Sequence, residues 1–197
     1  TDVLVTDGRV KSVVTSRGVI KTDVVVNAAG VYAPLIGRMV GVDLPITPRR
    51  GQVLVTESVP RMLKRAIICS RYIISKFTPD QTQDPLGVGM AMEQTRAGTL
   101  LIGSTREFVG YDRSVTPEGI RAILKHASGY VPAIKDLNII RSFAGLRPHT
   151  PDGMPILGKV DGIERFIVAA GHEGDGIALS PITGHLIAEL IATVENA

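Results

Sequence analysis

The chain has 197 residues, of which 44% are hydrophobic and 21% charged, a balance that excludes an intrinsically disordered protein. Its net charge is only +3 and its basic residues are scattered apart from short groups at Arg49-Arg50 and 61–65, so nucleic-acid binding is not expected. The single cysteine, Cys69, excludes a disulfide framework and a cysteine-based zinc site, and its apolar flanks predict a buried structural thiol. We find no signal peptide and no uninterrupted apolar run long enough for a transmembrane segment, and we expect a cytoplasmic protein.

The N-terminal residues predict short strands joined by tight turns. Apolar residues 3–5 and 10–14 flank Asp7-Gly8, a dipeptide that supplies the positive φ angles of a hairpin turn. A second turn near Arg17-Gly18 leads to another short apolar segment at Val19-Ile20.

The next segment predicts a strand and then a helix. Residues 24–26 are all valine, a β-branched run typical of a strand that is buried on both faces of a parallel sheet. The run ends in small residues, Ala28, Ala29 and Gly30, and residues 32–40 predict a short helix closed by glycine. Small residues at the end of such a strand suit either a ligand or tight helix–strand packing, and the residues alone do not favour one of these.

From about Leu44 to Thr105 the sequence becomes rich in strands with short connections, which predicts an antiparallel sheet. The predicted strands are residues 51–56, 66–69, 72–77, 88–92 and 99–103. Thr116-Pro117-Glu118 then predicts the start of a helix, with threonine as the N-cap, and Gly129 predicts its end. One face of that helix is apolar: Ile120, Ile123, Leu124 and Ala127.

The α/β character returns beyond Asp136. Residues 166–168 predict a strand, and a glycine-rich loop at 171–176 follows it. Ser180-Pro181 predicts the beginning of a last helix with an apolar stripe. The stripe consists of Ile182, Leu186, Ile187, Leu190, Ile191 and Val194.

Two segments carry residues suited to chemistry. Arg147 lies between an apolar strand and a type I turn at 150–153, where its guanidinium could bind a carboxylate or pair with a local acid such as Asp152. From the residues alone the local pair is the better interpretation. The loop at 171–176 has three glycines that expose backbone N–H groups before a helix, which suits an anionic group, although a plain glycine-rich turn has the same composition.

No spacing of histidines or carboxylates predicts a metal site or a Ser-His-Asp triad. The four histidines lie far apart in the sequence, at His126, His149, His172 and His185.

Five strings, taken together, resemble the D-amino-acid oxidase superfamily of FAD-dependent oxidoreductases, in particular its glycine oxidase, sarcosine oxidase β-subunit and hydrogen cyanide synthase branch. They appear in the family's order and span nearly the whole chain. The strings are VVVNAAGVY (24–32), PRRGQVLVT (48–56), LIGSTREFVGYD (101–112), GLRPHTPDGMPILG (145–158) and GHEGDGIALSPITGHLIAEL (171–190).

The resemblance implies a mixed α+β and α/β fold, in which a partial FAD-binding α/β domain is interrupted by a mainly antiparallel β-sheet substrate lobe. Residues 1–43 would be the first piece of the FAD-binding domain, 44–138 the substrate lobe, and 139–197 the second piece with the flavin loop and the final helix.

The resemblance also implies roles for particular residues. Arg147 would bind the substrate carboxylate over the flavin, as a catalytic and cofactor-binding residue. The backbone of the flavin loop would stabilise negative charge on the reduced ring. The implied FAD-binding residues are Ala28, Ala29, Gly30, Gly145, Arg147, Gly171, His172, Glu173, Gly174, Asp175, Gly176 and Ile177.

The implied function is that of the C-terminal portion of an oxidoreductase that oxidises an amine or amino acid, such as glycine, sarcosine, a D-amino acid, proline or an opine, by hydride transfer to flavin N5. The family's N-terminal glycine fingerprint is missing from the chain, so we expect the isolated chain to bind FAD poorly and to be inactive. An alternative is a non-catalytic fragment or subunit that supplies a substrate lobe and binds a partner. A third is a relative that oxidises an alcohol, as glycerol-3-phosphate dehydrogenase does.

Overall fold

A computed structural model describes residues 2–70, 72–73 and 85–195, which divide into two compact units. Unit 1 consists of residues 1–47 and 147–197, and unit 2 of residues 48–146. The two sheets, one of them entirely antiparallel, confirm the predicted mixture of α/β and α+β structure. The assignment of an FAD-binding domain and a substrate lobe to these units stays a prediction.

Unit 1 contains a six-stranded sheet in which the order β1-β2-β11-β10 is extended by β3 beside β2 and β4 beside β11. Its strands β4 and β11 run parallel, and so do β2 and β11. The strands of this sheet are β1 (Asp2–Thr6), β2 (Arg9–Thr15), β3 (Gly18–Lys21), β4 (Val25–Asn27), β10 (Ile156–Val160) and β11 (Ile163–Ala170). Helices α1 (Ala33–Met39) and α3 (Gly176–Glu195) complete the unit, with a 3-10 turn at Gly30–Tyr32.

Two turns of unit 1 lie where the sequence predicted them. Asp7 and Gly8 have φ angles of 50° and 72°, so the hairpin between β1 and β2 has the positive φ values that its turn type requires. Helix α1 ends in a Schellman motif, in which Val42 N donates to Gly37 O at 2.9 Å and Gly41 N to Arg38 O at 3.1 Å. Gly41 has φ +76°, which explains why glycine closes this helix.

The core of unit 1 lies between its sheet and helix α1, and its buried members come from both ends of the chain. They are Val3, Val10, Ala33, Val40, Leu44, Ile46, Phe166, Val168 and Ala170. One prediction for this sheet is wrong: β4 is not buried on both faces, because the side chain of Val26 is 36% exposed. Strand β4 pairs only with β11 among the described strands, so it has a neighbour on one side.

Unit 2 contains a five-stranded antiparallel sheet with the order β6-β7-β8-β5-β9. Its strands are β5 (Thr47–Ser58), β6 (Ile67–Ile68), β7 (Ala91–Gln94), β8 (Thr99–Gly103) and β9 (Ile139–His149). Alternate residues face helix α2 (Pro117–Tyr130), so that Leu54, Met92 and Ile102 lie in register and are at most 1% exposed. Ile123 and Ala127 of α2 pack in the same core, as the sequence predicted.

The segment from Cys69 to Ile73 in unit 2 agrees with one prediction and differs from another. Cys69 is buried at 4% exposure in the core of the unit, which confirms a buried thiol. The predicted strand at 72–77 is wrong at its start, because Tyr72 and Ile73 are helical, and its remainder lies outside the described residues.

The predicted start of the last helix is also wrong. Helix α3 begins at Gly176, and Pro181 lies inside it. A proline at this position removes the N–H that would bond to Ile177 O, but the Ser180 hydroxyl donates to that oxygen at 2.9 Å and satisfies it. The helix therefore tolerates the Ser-Pro pair that the sequence favoured as a cap.

Most of α3 is exposed, and the predicted apolar stripe is not a buried face in this structure. Ile187 is buried at 9% exposure, whereas Ile182 and Leu186 are 50% and 44% exposed. Within the described residues, α3 is the one helix whose length and composition would allow it to cross a membrane, over Gly176–Thr193 with a mean hydropathy of 1.3. Length and composition support a membrane span only weakly, and the expectation of no transmembrane segment stays a prediction.

Candidate functional site

The small residues after β4 and the glycine loop after β11 begin at neighbouring strand ends. The two strands are parallel, with Phe166 opposite Val25 and Val168 opposite Asn27. Their carboxyl ends therefore lie side by side at one edge of the sheet, which is where α/β proteins bind ligands. The structure thus brings together two of the segments that the sequence singled out, residues 28–30 and residues 171–177.

Asn27 fixes the turn at the end of β4. Its buried side chain donates from Nδ2 to Ala33 O at 2.9 Å, and its Oδ1 accepts from Ala29 N at 3.4 Å. Gly30 has φ +57°, and nothing lies within 4 Å of a Cβ built on it. The residues that follow the strand therefore present little side chain to an approaching ligand.

Position 171, the first after β11, requires a glycine. Its φ is +83°, and a Cβ built on it would lie 2.7 Å from Cγ2 of Thr150, a residue that is 1% exposed. Thr150 in turn donates from Oγ1 to Met154 O at 2.9 Å, within the turn that the sequence predicted at 150–153. The glycine thus allows the loop to lie directly against this turn.

The hydrogen bonds of the loop distinguish backbone N–H groups that hold it together from those that face outwards. Glu173 N donates to Pro148 O at 3.1 Å, and Asp175 N donates to His172 O at 3.0 Å. Gly174 N donates to Oε2 of Glu173 at 2.5 Å. These three N–H groups are therefore used within the protein.

The N–H groups of the first turn of α3 are not used in this way. Within the described residues, Gly176, Ile177 and Ala178 have no acceptor for their N–H groups, since Leu179 is the first residue to donate, to Asp175 O at 3.0 Å. Ile177 is 93% exposed. Three outward N–H groups at the positive end of a helix of 20 residues suit an electron-rich oxygen or nitrogen.

Arg147 lies at the end of β9 against this loop. A Cβ built on Gly174 would lie 3.9 Å from both Cδ and Nε of Arg147, and the Glu173–Pro148 hydrogen bond joins the two segments beside it. Asp152, the local acid that the sequence offered as an alternative partner, accepts from Met154 N at 3.0 Å through its Oδ1. Arg147 is half-buried next to the loop to which the family resemblance gives the cofactor.

His172 connects the loop to α3. Its Nε2 lies 2.9 Å from Oγ1 of Thr183, and its Cβ lies 3.3 Å from a Cβ built on Gly176. This imidazole therefore supports the loop from the helix side. Gly145, another predicted site residue, belongs to unit 2, where it is exposed on β9.

Unit 2 contains a buried polar network that the sequence analysis missed. Arg50 donates from Nη2 to Glu107 Oε2 at 2.7 Å and from Nη1 to Asp112 Oδ2 at 2.5 Å. Glu107 Oε1 also accepts from Thr105 Oγ1 at 2.6 Å and from Gln52 Nε2 at 2.8 Å. Arg49-Arg50 is therefore buried rather than a basic surface spot, with exposures of 2% and 3%.

The network changes the acidity of its carboxyl groups. Burial alone would raise the pKa of Glu107, but hydrogen bonds from Arg50, Thr105 and Gln52, together with the charge of Arg50, lower it below its ordinary value. Hydrogen bonds from Ser114 lower the pKa of Asp112. The sequence contained a pattern that could have predicted the network. Arg50 and Gln52 are two residues apart, and so are Thr105 and Glu107, and in extended segments this spacing places both side chains of a pair on one face.

Clusters of possible metal ligands were also considered in the part of the chain that the structure describes. There, no group of three or more histidine, cysteine, aspartate or glutamate side chains is placed to hold a metal ion.

Comparison with known proteins assigns the family. Residues 1–190 match the model of the DAO family, described as FAD dependent oxidoreductase. The chain therefore belongs to this family of FAD-dependent oxidoreductases.

Curated relatives are similar to this chain over nearly its whole length. The chain is 35% identical over 193 residues to hydrogen cyanide synthase subunit HcnC of Pseudomonas protegens, covering 97% of this chain and 42% of that protein. It is 31% identical over 185 residues to glycine oxidase of Pseudomonas aeruginosa, covering 93% of this chain and 46% of that protein. The chain thus spans less than half the length of these curated relatives.

Solved structures agree with this class. The L-proline dehydrogenase from P. horikoshii superposes with a TM-score of 0.84 at 29% identity, over 98% of this chain and 49% of that chain. Glycine oxidase from Geobacillus kaustophilus superposes with a TM-score of 0.82 at 29% identity, over 99% of this chain and 47% of that chain. Nearly the whole chain therefore has the same fold as about half of each of these proteins.

Proposed function

We propose that this chain is the part of an enzyme that binds the flavin ring and the substrate, and that the enzyme oxidises an amine or amino acid. In this proposal Arg147 binds the carboxylate of the substrate. The observation that carries the proposal is the contact of Arg147 with the glycine loop at 171–177, beside the small residues that follow β4. The relatives named glycine oxidase and L-proline dehydrogenase support a substrate that carries both an amino or imino group and a carboxylate.

The guanidinium is suited to a carboxylate for a geometric reason. Its planar donors match the two oxygens of a carboxylate and can bind them together, which fixes the direction of the substrate as well as its position. Because Arg147 is half-buried, its charge is screened less than that of a surface arginine. Loss of such a contact to a desolvated carboxylate costs about 2–5 kcal/mol of binding free energy.

The first turn of α3 is suited to the electron-rich side of a flavin. The N–H groups of Gly176, Ile177 and Ala178 point out of the helix, where they would favour negative charge on a bound ring. FAD, when bound, supplies the electron-accepting chemistry of the family. Ala28, Ala29 and Gly30 would let the cofactor approach the backbone closely.

The Arg147 assignment is tested in the complete protein that contains this chain. We expect Arg147→Ala to raise the KM for glycine or sarcosine at least thirtyfold, about 2 kcal/mol, while the flavin stays bound. Arg141→Ala is the matched control, because Arg141 lies exposed on the same strand, and it should leave KM unchanged. Equal kinetics for Arg147→Ala and the native protein would refute the assignment.

Substrate class is tested with the same preparation. The panel contains glycine, sarcosine, L-proline and D-alanine, with glycerol 3-phosphate as the alcohol. Turnover of an amino or imino acid supports the proposal, whereas turnover of glycerol 3-phosphate alone would favour the alcohol-oxidising alternative.

A further inference from the structure

A groove at one end of the sheet of unit 2 has arginines on two of its sides. It has a volume of about 190 Å³ and lies between the segment at 59–65, which follows β5, and the turn at 95–98, which joins β7 to β8. Arg61 and Arg96 line it from these two segments. Together the segments carry four exposed cations, Arg61, Lys64, Arg65 and Arg96. We call the groove with these four cations the basic groove.

Gln94 joins the two segments that form the basic groove. Its Oε1 accepts from Met62 N at 2.8 Å and from Leu63 N at 3.1 Å. Its Nε2 donates to Val59 O at 3.1 Å and to Gly98 O at 2.9 Å. One side chain thus bridges both segments, and the groove has a fixed shape before any ligand binds.

Gly98 allows the two backbones to approach each other closely beside the groove. Its φ is +93°, and a Cβ built on it would lie 2.6 Å from Oγ of Ser58 and 2.7 Å from Val59 O. Val59 N also donates to Gly98 O at 3.2 Å. A larger residue would push the segments apart, so glycine preserves the arrangement of the two arginines.

The cations of the basic groove have no acidic partner within the described residues. There, Arg61 donates only to backbone carbonyls, from Nε to Leu63 O at 3.3 Å and from Nη2 to Lys64 O at 3.5 Å. Arg96 makes no hydrogen bond and no ion pair through its side chain with any described residue. Unit 2 also holds the basic excess of the chain, with 14 lysines and arginines against eight aspartates and glutamates. A fixed positive site without a counter-charge is suited to an anion from outside.

The exposure of the four cations decides what size of anion fits. A single ion pair at a protein surface contributes little, since water and salt screen it, so a small free anion is held weakly there. A protein segment with several carboxylates contacts several cations at once, and its weak contributions add.

The other residues of the basic groove favour a protein over a nucleic acid. Met62 is 37% exposed between the cations, and methionine and arginine are both enriched where proteins meet. Among the described residues, no aromatic side chain lines the groove to stack on a base. Glu93, next to Gln94 on β7, is exposed and would repel a phosphate backbone that continued along the strand.

We propose that the basic groove is a docking site for a partner protein, which binds it through an acidic segment. Arg61 and Arg96 bind carboxylates from the two sides of the groove, and Met62 contacts an apolar side chain of the same segment. The groove belongs to unit 2, whereas Arg147 and the loop at 171–177 belong to unit 1. The proposal therefore does not depend on the function proposed above.

The probe is a fluorescently labelled peptide of glutamates with one central leucine, and anisotropy at low salt measures its binding to the complete protein. We expect the double variant Arg61→Gln/Arg96→Gln to weaken binding about tenfold, which corresponds to about 1.4 kcal/mol. Arg121→Gln/Lys125→Gln is the matched control, because it also removes two exposed cations of unit 2, neither of which lines the groove. The control should weaken binding by less than about twofold. Equal losses in the two variants would show that only net charge matters and would overturn the proposal.

Two single variants separate the shape of the groove from its charge. Gln94→Leu keeps all four cations but removes the hydrogen bonds that join the two segments, so it should also weaken binding of the peptide. Arg96→Gln removes a side chain that supports no described contact, so the fold is retained and binding should fall about threefold. Unchanged binding in Arg96→Gln would overturn the proposal, whatever the stability of Gln94→Leu.

Competition distinguishes the acidic peptide from other anions. Inorganic phosphate and a single-stranded oligothymidine are added to the complex of the labelled peptide with the complete protein. Retention of the peptide at equal concentrations of negative charge supports a protein partner, whereas its displacement by either competitor would overturn that assignment. Peptide binding to the 197-residue chain but not to the complete protein would show that the groove is covered within that protein, and would also overturn the proposal.

Discussion

Arg50 and Glu107 form a bidentate ion pair in unit 2, with Nη2 2.7 Å from Oε2 and Nε 3.3 Å from Oε1. Their side chains are 4% and 5% exposed. The pair joins β5 to the segment after β8, and Gln52, which binds Glu107, also accepts from the N–H of Thr116 at the cap of α2. Because water cannot replace either partner, loss of one leaves a buried charge.

Glu107→Gln should therefore lower the free energy of unfolding of unit 2 by about 3–5 kcal/mol. Urea denaturation of the native chain and the variant measures the change. The matched control is Glu118→Gln, which breaks the exposed 3.3 Å pair with Arg121 and should change stability by less than about 0.5 kcal/mol. Similar losses in the two variants would show that burial does not matter to the Arg50–Glu107 pair.

The stability of the chain should also depend on pH through Glu107. Its pKa is lowered in the folded state, so its contribution is fully present above the unfolded value of 4.5 and is lost as pH falls through the folded pKa. The urea midpoint of the native chain should thus decrease below about pH 4.5. Glu107→Gln should show a flatter decrease over this range, and parallel curves would contradict the assignment.

Gly119 in the first turn of α2 should not tolerate a side chain. A Cβ built there would lie 2.6 Å from Cδ of Gln52, so Gly119→Ala should destabilise the chain by about 1–3 kcal/mol through overpacking. Gly129→Ala on the same helix meets nothing within 4 Å and should leave stability unchanged or raise it by up to about 1 kcal/mol. Thermal unfolding of both variants measures the difference, and a stable Gly119→Ala would mean that Gln52 can move away.

Position 171 should require glycine for two reasons, the backbone conformation and the close approach of Thr150. Gly171→Ala should cost about 2–4 kcal/mol, because alanine at φ +83° is strained and its Cβ meets Cγ2 of Thr150. Gly153→Ala, at φ +72° with nothing within 4 Å, carries the strain alone and should cost less. Thr150→Ser removes the methyl group but keeps the hydroxyl, so it should partly rescue Gly171→Ala; if it does not, the contact is unimportant.

The isolated chain should bind FAD poorly. The sequence contains the loop at 171–177 but no G-x-G-x-x-G fingerprint for the ADP half of the cofactor. After incubation with FAD and desalting, we expect a colourless protein by absorbance. Retention of the flavin spectrum would show that these segments suffice for binding.

Local signals in the sequence predicted the elements that depend on local geometry. Asp7-Gly8, Gly41 and the Thr116 N-cap, which accepts from Gly119 N at 3.1 Å, each encode a turn or a helix end within a few residues. The same logic favoured Ser180-Pro181 as a helix start. It was wrong there because the Ser180 hydroxyl satisfies the carbonyl that proline leaves without a partner.

Features that depend on strand register could not be predicted in this way. Arg50 and Glu107 are 57 residues apart in the sequence, and the antiparallel bridge between them brings the two side chains together as a buried ion pair. In the sequence, Arg49-Arg50 is only a short basic group. The candidate site was likewise predictable only in part. The composition of the loop predicted that it could bind an anionic group, whereas the position of Arg147 against Gly174 and of Thr150 against Gly171 required the fold.

We propose that the chain belongs to an enzyme whose flavin is reduced by an amino or imino acid held by Arg147. The most direct measurement is an anaerobic titration of the complete flavin-loaded protein with sarcosine, followed through the absorbance of the oxidised flavin. We expect the absorbance band to disappear with sarcosine, glycine or L-proline, and to require a much higher concentration in Arg147→Ala. A band that persists with every amino and imino acid, or that disappears equally readily in Arg147→Ala, would contradict the account.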